Sequence, residues 1–477
     1  MRIKKSSPKK RPARLLAGDG FINDSSLAFN NQLSQMEGMH KRTLIIIGII
    51  LGGAAIIIGI RAVPPRAPRP EEAPRQNLVA INSQATLSDR QIQKAQGVIE
   101  KAPSDPKGYN LLCAAFMKKA RETGDFGFNA NAETALNRSF EAAAPEDNYD
   151  AIKLKAMLLL AYHRFGEALE TARQAREIQP NDPQNYGAMT DALVELGDYK
   201  EAFESAQTMM NLRPGTSSYS RVSYLRELQG DVKGAVESMR AAAEAAPDPE
   251  TVAWCRVHLG DTLINTGNLA AADHEFDIAL YHFPDYHLAL AGKARARLAS
   301  GDSTAAIEFY KQAQARVPLP ETAIALGDIY TKLGRAEEAK KQYDLLEFIE
   351  RTSATAAGST YSRQLALFYA DHDMKLDEAL AIARRERTAR SDIYTCDALA
   401  WCLYKKGEFA EAKKAIDEAM RLGTRDARIN YHAGMIEQAL GNRRDAVKYL
   451  ELALEINPLF DILQADVARQ TLLAIAA

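Results

Sequence analysis

At 477 residues the chain is long enough for about three domains of ordinary size or for one extended repeat array. With 46% hydrophobic and 26% charged residues it is too apolar for a disordered protein, and 28 glycines and 19 prolines exclude collagen-like and low-complexity readings. A formal net charge of −2 argues against a chain built mainly to hold nucleic acid, and four cysteines without a Cys-x-x-Cys pair exclude a disulfide scaffold, a zinc ribbon and a thioredoxin-type motif.

The charge is unevenly spread. Residues 1–42 carry nine Lys/Arg against Asp19, Asp24 and Glu37, whereas the remainder holds 51 basic and 59 acidic groups. This polar, aromatic-poor tail is expected to be disordered. Thr43–Ile60 (TLIIIGIILGGAAIIIGI) follows without a charge, and as a helix at about 1.5 Å per residue it reaches about 27 Å, enough for a thin hydrocarbon core. A cleavable signal peptide is the competing reading. It calls for a shorter apolar run, a shorter basic lead and a small-residue cleavage site, none of which Arg61-Ala62-Val63-Pro64 and its surroundings supply. The segment is therefore read as an uncleaved signal anchor. Lys41, Arg42 and the upstream basic residues place the N-terminus in the cytoplasm and export everything beyond Arg61, which in a bacterium means a periplasmic array behind an inner-membrane anchor. Gly48 and Gly52 form a small-xxx-small pair suited to packing two such helices, a route to a homo-oligomer.

Residues 61–87 form a Pro-rich linker. Pro64, Pro65, Pro68, Pro70 and Pro74 forbid helix and favour a stiff, extended spacer.

From residue 88 the sequence is alanine-rich and helical in pattern, and it repeats. Gly197, Gly230, Gly267, Gly301, Gly334, Gly407 and Gly441 are separated by 33, 37, 34, 33, 73 and 34 residues, the 73 being two periods with a few extra residues. An alanine follows each by five residues (Ala202, Ala235, Ala272, Ala306, Ala339, Ala412, Ala446), and Pro214, Pro247, Pro284, Pro318 and Pro458 follow by seventeen. Gly260, Gly327 and Gly434 precede three of the turn glycines by seven, where small residues let two helices cross closely.

This pattern resembles the tetratricopeptide repeat family over residues 104–458, and the resemblance implies an all-α superhelical solenoid of about ten helix pairs. A first unit covers 104–148, with an insertion around Gly124–Ala130, and further units start near 149, 183, 216, 253, 287, 320, 360, 393 and 427. His163 and Met374 stand at the turn position in the units at 149 and 360. The solenoid is expected to span 88–459, with Asp89–Ala102 capping its start and residues 460–477 forming a C-terminal capping helix.

Catalytic and cofactor signatures are missing: no GxxxxGK[ST], GxGxxG or GxSxG occurs, and His274-Glu275 lacks the second histidine of a zincin. His282, Asp285 and His287 straddle a unit boundary and are read as solvated turn residues instead of metal ligands. With repeats and caps accounting for residues 88–477, no enzyme activity, cofactor or metal is expected. The expected work is protein or peptide binding in the concave face of a membrane-tethered scaffold, in envelope assembly or quality control. A structural or oligomerising component of a membrane complex is the alternative. A chaperone-docking import receptor loses support because the family's carboxylate-gripping pattern fails: Lys153 is followed by Met157 and then Ala188.

In this family the ligand faces positions 2, 5, 9 and 12 of each first helix. Carried onto the last three full units, these positions give Tyr361 and Phe368, then Tyr394, Asp397, Trp401 and Tyr404, then Arg428, Tyr431 and Met435, with Asp371 among them. Aromatic side chains contribute much contact area at little entropic cost, so this stretch is the expected peptide-binding surface. A phase error of one or two residues would instead place several of them in the core.

Overall fold

Acidic and amide side chains set the helix starts. Asp105, Asp182, Asp248, Asp392 and Asp426 accept hydrogen bonds from first-turn N–H groups of first helices, and Asp198, Asp231, Asn268 and Asp302 do so for second helices. Pro106, Pro183, Pro249 and Pro320 stand at the first helical position, where a missing N–H costs nothing.

In a computed structural model, which describes residues 86–357 and 362–476, these signals yield 22 α-helices and, among the described residues, no strand. Helix α1 (Leu87–Lys101) precedes ten pairs. The pairs are α2 (Pro106–Thr123) with α3 (Phe128–Ala142), α4 (Tyr149–Ala161) with α5 (Phe165–Ile178), α6 (Pro183–Leu196) with α7 (Tyr199–Leu212), and α8 (Thr216–Leu228) with α9 (Val232–Glu244). Next come α10 (Pro249–Asn265) with α11 (Leu269–His282), α12 (His287–Ala299) with α13 (Ser303–Arg316), and α14 (Pro320–Lys332) with α15 (Ala336–Ala357). The last three are α16 (Ser362–Asp371) with α17 (Leu376–Ala389), α18 (Ile393–Lys405) with α19 (Phe409–Ala419), and α20 (Ala427–Ala439) with α21 (Arg443–Ile456); α22 (Gln464–Ala476) follows. Each helix packs chiefly on its sequence neighbours, as in a repeat array.

The predicted unit starts at 149, 183, 216, 287, 320, 393 and 427 coincide with helix starts. Two starts move. The unit at 253 begins at Pro249, because Asp248 caps the helix and proline takes its first position. In the unit at 360 the left-handed turn residue is Asp373 (φ 52), one before Met374, so the unit's register shifts by one; His163 (φ 56) does occupy the turn predicted for it. The long glycine gap is filled partly by α15, which runs 22 residues. The expected tail, signal anchor and nearly all of the linker lie outside the described residues, as does Tyr361. Among the described residues no helix is long and apolar enough to cross a membrane.

The crossing glycines do what their spacing implies. A Cβ on Gly434 would stand 2.6 Å from Leu450 Cγ, and one on Gly260 would stand 2.5 Å from Phe276 Cε1. Gly327 is pressed equally hard against Tyr343.

The array also closes on itself. The backbone N–H groups of Ser391 and Asp392, entering α18, donate to the Glu195 carbonyl at the end of α6 (2.8 and 3.1 Å), and Ile393 N–H donates to the Tyr199 hydroxyl (2.9 Å). Arg390 pairs with Glu195 at 3.2 Å, and the Arg421 guanidinium lies 5.0 Å over the Tyr199 ring. One repeat further along, the Thr424 hydroxyl donates to the Leu228 carbonyl. One hydrophobic core therefore joins α4–α8 with α14–α22, although the residues bonded across it lie some two hundred positions apart.

Candidate functional site

Curling the array in this way leaves an inner cavity of about 600 Å³, walled by α10, α12, α14, α16 and the segment 457–469 that leads into α22. Such a volume is ordinary for a ligand site. Ile264, Leu298, Ile324, Leu367 and Phe460 make its apolar wall, and Asp261, Arg295, Glu321, Asp328, Asp371 and Arg428 bring charge into it. The C-terminal segment is tied across one side. Lys332 Nζ donates to the Ile462 carbonyl and to Asp466 (both 2.8 Å), Arg428 pairs with Asp461 (2.8 Å), and the Tyr431 hydroxyl donates to Gln464 (2.7 Å). Gln464 in turn donates to the Asp371 carbonyl (3.2 Å).

The predicted aromatic residues are brought together, but as the filling between units. Trp401 is 1% exposed; its ring stacks on Tyr404 (4.8 Å, 8°) and His432 (4.1 Å, 15°), and its Nε1 donates to Asp371 (2.8 Å). Tyr431 is equally buried, and Phe460 packs beside it at 5.3 Å. Asp397 is buried against His432 Nδ1 (2.8 Å). Phe368, displaced by the one-residue register shift, is buried against Tyr343 and His372. Met435 is also buried, whereas Tyr394, Tyr404 and Arg428 keep partial access to solvent.

Charge on the inner face is strongly coupled. Burial works against the Arg428 charge, but Asp461, Asp371, Asp426 and Asp397 outweigh it and hold the guanidinium above its usual range. Burial raises the Asp371 carboxyl, offset in part by Arg428 and raised again by Asp461. Burial, reinforced by Asp261 and Asp426, pushes Glu227 up to about 7. Burial likewise raises Glu321, whose side chain opens to the cavity but is walled by protein on its other sides.

The boundary histidines divide. His282 and Asp285 are exposed, and Arg316 pairs with Asp285. His287 is not the solvated residue expected: it is 7% exposed at the start of α12, and burial lowers it to about 4. Among the described residues no three His, Cys, Asp or Glu side chains are grouped as a metal site.

Positions 2, 5, 9 and 12 of the units at 253, 287 and 320 contain the cavity residues missed in the sequence: Asp261 and Ile264, Ala291, Arg295 and Leu298, then Glu321, Ile324 and Asp328. The positional rule could have found them. Aromatic content points to the last three units instead.

Comparison with known proteins agrees with the helix pairs. Tetratricopeptide repeat models match residues 258–319 and, in a second form, residues 320–346 and 427–458. The chain is 26% identical over 213 residues to "Cellulose synthase 1 operon protein C" of Komagataeibacter xylinus; the match covers 44% of this chain and 14% of that relative. Among solved structures, the human IFIT1 dimer with m7Gppp-AAAA is 15% identical, with 70% of this chain and 76% of that one covered at a TM-score of 0.47. A tetratricopeptide repeat protein from Parabacteroides merdae is 18% identical, with 55% and 99% covered at a TM-score of 0.33. The chain thus carries matched tetratricopeptide repeats in its middle and at its end, with helix pairs in the same register between them.

Proposed function

We propose that this chain is a membrane-tethered scaffold that holds a segment of another protein against the inner face of its repeat array. The cavity of about 600 Å³ on that face carries the reading, because repeat arrays of this kind present binding surfaces on the concave side. Residues 43–60 supply the anchor in this reading, with the basic tail in the cytoplasm and the array exported. An envelope setting, in assembly or quality control, is supported by the relative named for a cellulose synthase operon, although the chain spans only 14% of that protein. The scaffold acts by binding, without chemistry of its own.

Photo-crosslinking in intact cells tests this. With a photoreactive amino acid at Ala325, on the cavity wall, the full chain is expected to capture a different polypeptide, and with one on exposed Tyr281 it is not. Capture of only a second copy from Ala325 would favour an oligomerising component instead. A reporter active only after export, fused after Ala477, is expected to be on; silence there together with activity of a cytoplasmic reporter would overturn the topology.

A further inference from the structure

The charges in the cavity are not equally free. Each of its four cations already has a carboxylate partner. Arg295 holds Asp261, Arg428 holds Asp371 (3.7 Å) and Asp461 (2.8 Å), and Lys332 and Arg469 share Asp466 (2.8 and 2.6 Å). Lys332 and Arg469 are further committed to the carbonyls of Ile462 and Pro458. Among the carboxylates, Asp328 accepts from the Tyr343 hydroxyl and meets His372 Nε2 (both 2.8 Å). Glu321 stands differently. It opens to the cavity from the first turn of α14 and makes no ion pair among the described residues; Gln364 lines the same cavity, and Arg295 and Arg363 favour its ionised form only from beyond ion-pair distance. Glu227, which does not line the cavity, feels the charges of both Asp261 and Asp426 and makes no ion pair among the described residues, whereas Asp426 accepts from the Ile429 N–H and is favoured by Arg428. Among the charges that line the cavity, the one left without an ion pair is therefore negative, at Glu321, and the same lining holds the apolar Ile324 and Leu367.

We propose that the cavity seats an extended segment of a partner protein bearing arginine or lysine, with a cationic side chain at Glu321 and apolar neighbours on Ile324 and Leu367. The inference deepens the scaffold reading and rests on it. An acidic segment is disfavoured because it would have to draw Arg295 or Arg428 away from carboxylates they already neutralise, while leaving Glu321 unpaired. A cationic segment gains a partner at Glu321 and breaks no existing pair.

The test uses the full chain in neutral detergent and fluorescence anisotropy with two labelled peptides, one repeating Arg-Ala-Leu and one repeating Glu-Ala-Leu. The Arg peptide is expected to bind and the Glu peptide not to, with affinity falling as salt is raised. Glu321→Gln, isosteric and at an open position, is expected to weaken the Arg peptide about tenfold or more at unchanged melting temperature, and Glu227→Gln to weaken it less. Equal binding of the two peptides, or an Arg peptide indifferent to Glu321→Gln in a folded variant, would overturn the proposal. So would spermine binding as tightly as the peptide, because a diffuse negative field would then account for the whole effect. Partner capture from Ala325 without Arg-peptide binding leaves the scaffold reading standing and removes the charge assignment; failure of both removes both.

Discussion

The inner faces of the middle and last repeats have opposite fates. Trp401, Tyr431 and Asp397 in the last units occupy groove positions by register, yet they are buried by neighbouring units and by the returning C-terminal segment. Asp261, Arg295, Glu321 and Asp328 occupy the same positions in the middle units and face a cavity. Large flat rings can be desolvated cheaply and reward closure, whereas charged groups keep water, and with it space, beside them. A groove position in a repeat is thus open only where the array as a whole does not fold back onto it.

The comparison can be broken most sharply at Trp401. Trp401→Ala removes a buried ring and its hydrogen bond to Asp371, and is expected to cost about 3–5 kcal/mol in denaturant unfolding of the array. A folded, equally stable variant with weakened partner capture would return Trp401 to an open groove. Next in size, Gly434→Leu or Gly327→Leu should destabilise by about 1–3 kcal/mol through overpacking against Leu450 or Tyr343, read as a lower melting temperature.

On the open side the sign reverses. Glu227 titrates near about 7 in the folded chain against an ordinary 4.5, so the folded state keeps a proton that the unfolded state releases. Its contribution is complete at low pH and is lost as pH rises through that window. Glu227→Gln is expected to stabilise by about 1–2 kcal/mol near pH 8 and to have almost no effect near pH 5, the discount reflecting its partial exposure. A destabilising effect at high pH would show that its charge is matched by a cation. The smallest change is expected at Lys332→Ala. Its exposed pair with Asp466 is worth about 0–1 kcal/mol, but faster hydrogen exchange confined to α22 would show that the pair holds the C-terminal segment across the cavity.

Much of this was legible along the chain because the signals are local. A left-handed glycine with an alanine five residues on recurs in seven of the ten units, a proline seventeen residues on in five of them, and neither signal needs knowledge of distant partners. The two shifted starts show the limit of that reading. The pair Asp248-Pro249 carries the same start signal as Asp182-Pro183 four residues ahead of the start that the repeat spacing implies, and Asp373 takes a left-handed turn that no glycine marks. The candidate site was legible only as a set of positions. Which of them stay open depends on bonds such as Ser391 N–H to the Glu195 carbonyl, made between residues 196 positions apart.

By itself, then, the sequence determined the helix pairs, their caps, the close crossings at Gly260, Gly327 and Gly434, and the surplus of acid over base beyond residue 42. Tertiary structure alone decided that the units at 183 and 216 meet those at 393 and 427, that Trp401 is core, and that Glu321 faces an open cavity without an ion-pair partner among the described residues. The reason is that curl in a repeat array sums small rotations from every unit, so its closure is fixed by the whole chain and written in no single repeat.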